Sequence, residues 1–215
     1  MIHNLSYDTL SEMLPPFEVP LYQCNFNPIT TIMTEKVIRD LEPIILAIEA
    51  PDNMRNYNWM TARLGYYNLL DYDYDQIRSL EKFILNAYKG FVTELGIKEY
   101  KIYVHAWINI VRKGEKITLH NHADAHAKIP DIHSYISGNL CITADNTGTY
   151  FKSPYTSQSH GIRNVPGECH LFPSFINHFT SENQSDNPRY SIAFDIITEE
   201  VYNLSTNKHL FKELS

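Results

Sequence analysis

The sequence predicts a mainly β domain with helices ahead of it, of the α+β class, and three observations carry that prediction. From residue 101 onward, short runs rich in β-branched and aromatic residues alternate with turn signals, the pattern of a sandwich or barrel. Ahead of them lie two stretches with apolar residues at helical spacing, placed to pack on one sheet of a jelly roll. No repeat, low-complexity tract or linker divides the 215 residues. One domain over 1–215 is therefore expected, with 1–100 as helical support and 101–200 as the β core.

The elements follow in order. Pro15, Pro16, Pro20 and Pro28 keep the first thirty residues irregular to extended, with Phe17–Tyr22 as an edge strand. Thr34 is placed to cap a helix from Glu35 to about Ala50, striped by Ile38, Leu41, Ile44, Ile45 and Ile48, with Pro43 inside as a kink or break. Asp73 or Asp75 opens a second helix running to about Leu95, with Gly96 as its stop. Strands are expected over Lys101–Val111, Lys116–His122, Ser134–Ala144, Thr149–Phe151, Glu168–Phe172 and Tyr190–Ile196. Lys113-Gly114-Glu115 turns the first of these, and residues 152–164 read as an open loop.

Composition narrows the function. A formal net charge of −7 without a basic run argues against an extensive nucleic-acid surface. Cys24, Cys141 and Cys169 are few, odd in number and far apart, which disfavours a disulfide framework or a structural zinc site. Reduced thiols, an N-terminus without a secretory signal pattern, and no apolar run long enough to span a bilayer give a cytoplasmic protein without membrane association as the expectation.

The chemistry concentrates in Leu119-His120-Asn121-His122-Ala123-Asp124, answered by His178 and by Arg189-Tyr190-Ser191. Alternate residues of an extended segment share a face, so His120, His122 and Asp124 fall together. A lone histidine is ordinarily surface or loop filler, whereas several ligand types converging at this spacing suit a divalent transition metal. A 2-His-1-carboxylate set with open positions marks non-haem Fe(II) oxygenases. On residue types alone three sets remain open: His120 or His122 with Asp124 and His178, or all three histidines. Asp124 is alternatively the group that orients a ligating histidine. Arg189, Ser191 and Ala193 share one face of the last strand. A guanidinium fork and a hydroxyl among small residues suit a carboxylate. Trp107 and Asn109 are placed to line the same pocket or to serve packing and strand ends. His126 and His133 sit where they would line the site entrance.

Trp107-Ile-Asn109, Gly114-Glu115, His120-Asn-His122, Ser137-Gly138, Pro166-Gly167, Leu171-Phe-Pro-Ser174 with His178, and Arg189-Tyr-Ser191-Ile-Ala-Phe together resemble the 2-oxoglutarate/Fe(II)-dependent oxygenases common in phage and marine bacterial genomes. More distantly they are similar to the prolyl-4-hydroxylase-like group. The resemblance runs from about Trp107 to Ile196. It implies a double-stranded β-helix (jelly roll, cupin-like) with Fe(II) at one mouth, 2-oxoglutarate as co-substrate and O2 as oxidant. By the family's spacing from Gly114, His120 matches the first ligand, His122 the second and His178 the distal one, with Asp124 as the carboxylate alternative. Arg189 and Ser191 match the pair that binds the far carboxylate of 2-oxoglutarate, and Asn109 falls beside them. The chain departs from the family in an insertion, roughly Ala123 to His133, and in Asn139-Leu140-Cys141 where a tyrosine-bearing strand is common.

The implied reaction is hydroxylation of a substrate C–H with release of succinate and CO2. The substrate would be a small molecule, nucleotide or peptide, contacted by the loops Ala123–His133 and Lys152–Asn164. A phage-type member would act in the host cytoplasm, and a homodimer is compatible with the sequence. The rivals are a cupin-like three-histidine metalloenzyme that needs no co-substrate, and a jelly-roll binding protein whose histidines are incidental.

Overall fold

A computed structural model of the chain describes residues 1–8, 13, 17–48, 66–122 and 136–215. Its strands are β1 (Ile2–Tyr7), β2 (Phe17–Asn25), β3 (Ile102–Val111), β4 (Ile136–Cys141), β5 (Gly148–Lys152), β6 (Ser159–Arg163), β7 (Glu168–Pro173), β8 (Asn177–Thr180), β9 (Arg189–Thr198) and β10 (Lys212–Leu214). Helices α1 (Pro28–Leu46) and α2 (Asp75–Glu94) precede β3, and a short α3 (Glu199–Leu204) follows β9. The strands form a seven-stranded sheet ordered β1-β2-β7-β4-β9-β3-β10 and a three-stranded sheet ordered β6-β5-β8. Every pairing is antiparallel. These are the two walls of a double-stranded β-helix.

The two faces of the large sheet have different chemistry. One carries Val104, Ala106, Ile108, Ile110, Leu140, Leu171, Ile192, Phe194 and Ile196, buried with Ile38, Leu41 and Ile45 of α1 and Ile77, Leu80, Ile84 and Phe91 of α2. Strands covered on both faces lose the simple polar-out alternation, which is why β3 and β9 read as near-continuous apolar runs. The other face, turned to the small sheet, carries Trp107, Asn109, Ser137, Asn139, His170, Arg189, Ser191 and Asp195. At its far side Leu21, Phe172 and Ile176 pack with Phe151 of the small sheet.

Two glycines explain pieces of the sequence pattern. Gly114 has φ +80, and its N–H donates to the Asn183 carbonyl, so the turn after β3 uses backbone space that only glycine enters freely. Gly138 lies opposite Phe194, and a Cβ there would stand 2.1 Å from Phe194 Cζ. Gly138→Ala is therefore expected to destabilise the fold by roughly 1–3 kcal/mol through overpacking, read as a lower denaturant midpoint.

Several elements differ from the sequence reading. The first helix starts at Pro28, with the Asn27 side chain accepting from Ile29 N and Thr30 N, so the cap is Asn27. Thr34 lies inside the helix and returns its hydroxyl to the Thr30 carbonyl. Pro43 leaves the helix continuous to Leu46. The edge-strand expectation holds for Phe17–Leu21, where β1 alone pairs; from Tyr22 to Asn25 β7 pairs on the other side. Pro20 therefore loses no ladder bond. Residues 116–122 do not form a regular strand. His120 bridges to His178, but Ile117 N–H goes to the Thr180 hydroxyl instead of a carbonyl, which interrupts the ladder. Within 152–164 the structure places β6, whose Ser-His-Gly-Ile-Arg sequence lacks the apolar signal of a strand. Strands β1, β8 and β10 are also additions. No helix among the described residues is long and apolar enough to cross a membrane.

Candidate metal and co-substrate site

His120, His122 and His178 come together at the mouth between the sheets. One nitrogen from each lies within 4.8 Å of the others. The backbone arranges this. His120 N donates to the His178 carbonyl at 3.1 Å, His178 N donates back at 2.8 Å, and His122 N donates to the Ser174 carbonyl at 2.9 Å. The extended 117–122 segment is thereby stitched beside β8. Asp124, His126 and His133 lie outside the described residues.

Each imidazole has its second nitrogen assigned by its partner. His120 Nδ1 meets the Thr118 carbonyl at 2.8 Å, and His178 Nδ1 meets the Ile176 carbonyl at 3.1 Å. His122 Nδ1 meets Asp195 Oδ1 at 2.7 Å. Carbonyl and carboxylate oxygens only accept, so Nδ1 carries a proton in all three rings, which leaves Nε2 as the nitrogen a metal would take. Burial, together with the neighbouring His122, pushes His120 down to about 4. Burial, with His120 and His122 beside it, holds His178 well below the usual histidine range. Three imidazoles, each with Nδ1 hydrogen-bonded outward and one nitrogen within 4.8 Å of the others, form a donor set for a divalent transition metal.

Asp195 is the residue that sequence reasoning missed. It is 1% exposed and accepts from both His122 Nδ1 and the Ser137 hydroxyl, the latter at 2.6 Å. Ser137 and Ser174 hydroxyls stand 3.0 Å apart. Since the single Ser137 proton goes to the carboxylate, Ser174 is the donor between them. A carboxylate that holds the outer nitrogen of a metal-facing histidine fixes its tautomer and raises its basicity. The available signal was a lone acidic residue inside the apolar run Tyr190–Ile196. Trp107 packs against the same ring, its centroid 5.5 Å from that of His122.

The predicted carboxylate-binding residues lie farther along the same face. Arg189, Ser191 and Asp195 follow one another at strand spacing on β9, with Asn109 directly opposite Ser191 on β3 and Cys141 opposite it on β4. Arg189 is 3% exposed, its guanidinium donates no hydrogen bond, and no acidic side chain among the described residues lies within ion-pair distance. Burial pulls it down to about 10. A buried cation without a partner is costly, and natural folds keep one where a ligand supplies the counter-charge. Cys141, pushed up to about 12 by burial, stays a neutral thiol beside it.

These protonation states give a pH prediction. His120 and His170 are both pushed down to about 4, whereas an unfolded histidine titrates near 6.5. Below about 6.5 the unfolded chain takes up protons that the fold refuses. Their stabilisation is therefore complete above that pH and lost as pH falls toward 4. Denaturant melts of metal-free protein should show a midpoint that is level from pH 7 to 8 and falls between 6.5 and 4.

Residues 105–195 match a family model described as “Putative 2OG-Fe(II) oxygenase”. Among solved structures, a Pseudomonas putida prolyl-4-hydroxylase superposes with a TM-score of 0.57 at 10% identity, over 83% of this chain and 88% of that one. A non-heme monooxygenase, ThoJ, in a nickel complex gives 0.56 at 12% identity, over 82% and 74%. The epimerase SnoN in complex with Fe3+, alpha ketoglutarate and nogalamycin RO gives 0.55 at 11% identity, over 83% and 78%. At these identities the likeness establishes the shared double-stranded β-helix. No curated protein matches the chain significantly. The family match spans β3 to β9, the strands that carry the histidine cluster and Arg189, and over those strands the chain is similar to the 2OG-Fe(II) oxygenases.

Proposed function

We propose that the chain is a 2-oxoglutarate-dependent hydroxylase in which His120, His122 and His178 hold Fe(II) through Nε2, and Arg189 with Ser191 holds the far carboxylate of 2-oxoglutarate. The observation that carries this reading is the buried, unpaired guanidinium of Arg189 on the same inner face as the three-imidazole cluster. When bound, Fe(II) and 2-oxoglutarate would supply the oxidising chemistry, by which one oxygen atom of O2 would be inserted into a substrate C–H bond and the other would leave in succinate with release of CO2.

The remaining roles belong to the protein. Asp195 keeps the His122 proton on Nδ1, so Nε2 stays aimed at the metal. The Thr118 and Ile176 carbonyls do the same for His120 and His178. Ser191 and Asn109 face each other across β9 and β3, next to Arg189 on the inner face, where they would contact a co-substrate held by that guanidinium. Trp107 covers one side of His122 and keeps water from that flank. A three-histidine enzyme without a co-substrate would share the metal cluster but would have no use for a buried cation on the inner face, and this favours the 2-oxoglutarate reading.

The test uses wild-type protein. Anaerobic Fe(II) followed by 2-oxoglutarate is expected to give a visible charge-transfer band, and admission of O2 is expected to yield succinate. Iron retention with neither band nor succinate would overturn the co-substrate assignment in favour of the three-histidine alternative.

A further inference from the structure

The inner face of the large sheet carries more hydrogen-bonding capacity than metal and co-substrate use. One register row crosses five strands: Gln23 on β2, His170 on β7, Asn139 on β4, Ala193 on β9 and Trp107 on β3. The first three are adjacent, polar and on one face, and among the described residues none of their side chains makes a hydrogen bond. His170 is 6% exposed, and its Nε2 is buried without a partner. Leaving such a group unsatisfied costs about 1–3 kcal/mol in general. An unspent polar group of this kind in a native interior calls for an explanation, and here it is flanked on both neighbouring strands by a half-buried carboxamide, Gln23 and Asn139.

Position supplies the explanation. Ala193 lies midway between Ser191 and Asp195, so the row crosses β9 between the carboxylate end and the metal end of the site. Neighbouring strands are about 4.8 Å apart, which puts Asn139 one strand and His170 two strands to the side of β9, roughly 10 Å away. A molecule lying along β9 leaves this flank open. Ala193 contributes only a methyl group to the row, and Trp107, against the His122 ring, stands at its metal side.

We propose that Gln23, His170 and Asn139 form the recognition subsite for the primary substrate, and that the group they read is an uncharged one bearing both a donor and an acceptor, such as an amide, lactam or nucleobase edge. The two carboxamides each present a donor and an acceptor, and a neutral imidazole presents one of each, so the complementary ligand offers the same pair. No lysine or arginine belongs to the row, and burial holds His170 neutral, pushed down to about 4. A carboxylate or phosphate would therefore find no counter-charge there. The proposal rests on the 2-oxoglutarate oxygenase reading and names the substrate class of that site.

The test uses full-length protein loaded with Zn(II) and 2-oxoglutarate, probed by saturation-transfer NMR with 2-pyrrolidone, N-methylacetamide and uracil against propionate and methyl phosphate. The amide-type probes are expected to give signals and the anions none. His170→Leu and, separately, Asn139→Leu are expected to lower the amide-probe signals at least fivefold while the Kd for 2-oxoglutarate stays within twofold. Silent amide probes, signals that survive both substitutions, or equal binding of the anions would overturn the proposal. A tenfold weaker 2-oxoglutarate Kd in His170→Leu would also overturn it, by assigning the row to the co-substrate. Wild-type protein that binds no 2-oxoglutarate would count against the oxygenase reading, and the amide probes alone would still decide the subsite.

Discussion

Replacing Arg189 with Met is expected to abolish 2-oxoglutarate binding and, at the same time, to make the cofactor-free protein more stable. The two effects share one cause. In the free protein Arg189 is 3% exposed, and among the described residues its guanidinium has no carboxylate beside it and gives no hydrogen bond. Methionine fills similar volume without the stranded charge, so the fold is expected to gain about 1–3 kcal/mol. For a chain of this size that is a rise of several degrees in Tm. Binding moves the opposite way. Each charge-assisted hydrogen bond to a carboxylate is worth about 1.5–3 kcal/mol, so losing a bidentate pair weakens 2-oxoglutarate by roughly 100-fold or more. Wild-type protein should gain about 2.7 kcal/mol from 2-oxoglutarate at a hundred times its Kd, and Arg189→Met should gain nothing at the same concentration. Arg189→Lys keeps the charge but not the planar fork, and should recover little of the affinity. A variant that melts lower than wild type without ligand, or that still responds to 2-oxoglutarate, would show that the guanidinium has a structural partner and no co-substrate role.

What the sequence made legible follows from how local each signal is. The pairing of His120 with His122 was readable because alternate extended residues share a face, even though the segment is held by isolated bridges and not by a ladder. The faces of β9 were readable for the same reason, and the register sets Ser191 beside Asn109 as the alternation requires. The helix stripes were readable, but the true cap, Asn27, was hidden because Pro28 looked like a breaker when it is a first-turn residue. Strand β6 was invisible because its pairing partner, not its own composition, makes it a strand. Asp195 was hidden most completely. Its role depends on His122, 73 residues away in sequence, and on Ser137, 58 away. The same holds for the row of Gln23, His170 and Asn139, which exists only once β2, β7 and β4 are laid side by side. Sequence periodicity reports which face a residue takes; it does not report which strand lies next to it.

The metal site gives the second large effect, and it separates ligands from the group that orients them. His178→Ala removes one of three converging nitrogens and is expected to leave protein that retains no iron after anaerobic desalting. Asp195→Asn touches no metal-facing atom, yet is expected to weaken Fe(II) or Co(II) binding by about 10–100-fold. The reason is the proton on His122. Aspartate can only accept, so it holds that proton on Nδ1 and leaves Nε2 free. Ser137 already donates to the same carboxylate oxygen. An asparagine amide has one accepting end, and if that end keeps Ser137, the NH2 end faces His122. The imidazole then turns acceptor at Nδ1, carries its proton on Nε2, and can bind metal only by giving that proton up. The three-imidazole set also brings no negative charge of its own, so the buried carboxylate behind His122 is the nearest anionic partner for a dication among the described residues. Asp195→Asn should therefore shift the Co(II) d–d spectrum as well as the affinity, while Ser137→Ala, which leaves the charge in place, should weaken binding by only a few fold. Unchanged Co(II) affinity and spectrum in Asp195→Asn would make the His122–Asp195 contact a packing feature and return the second ligand position to Asp124.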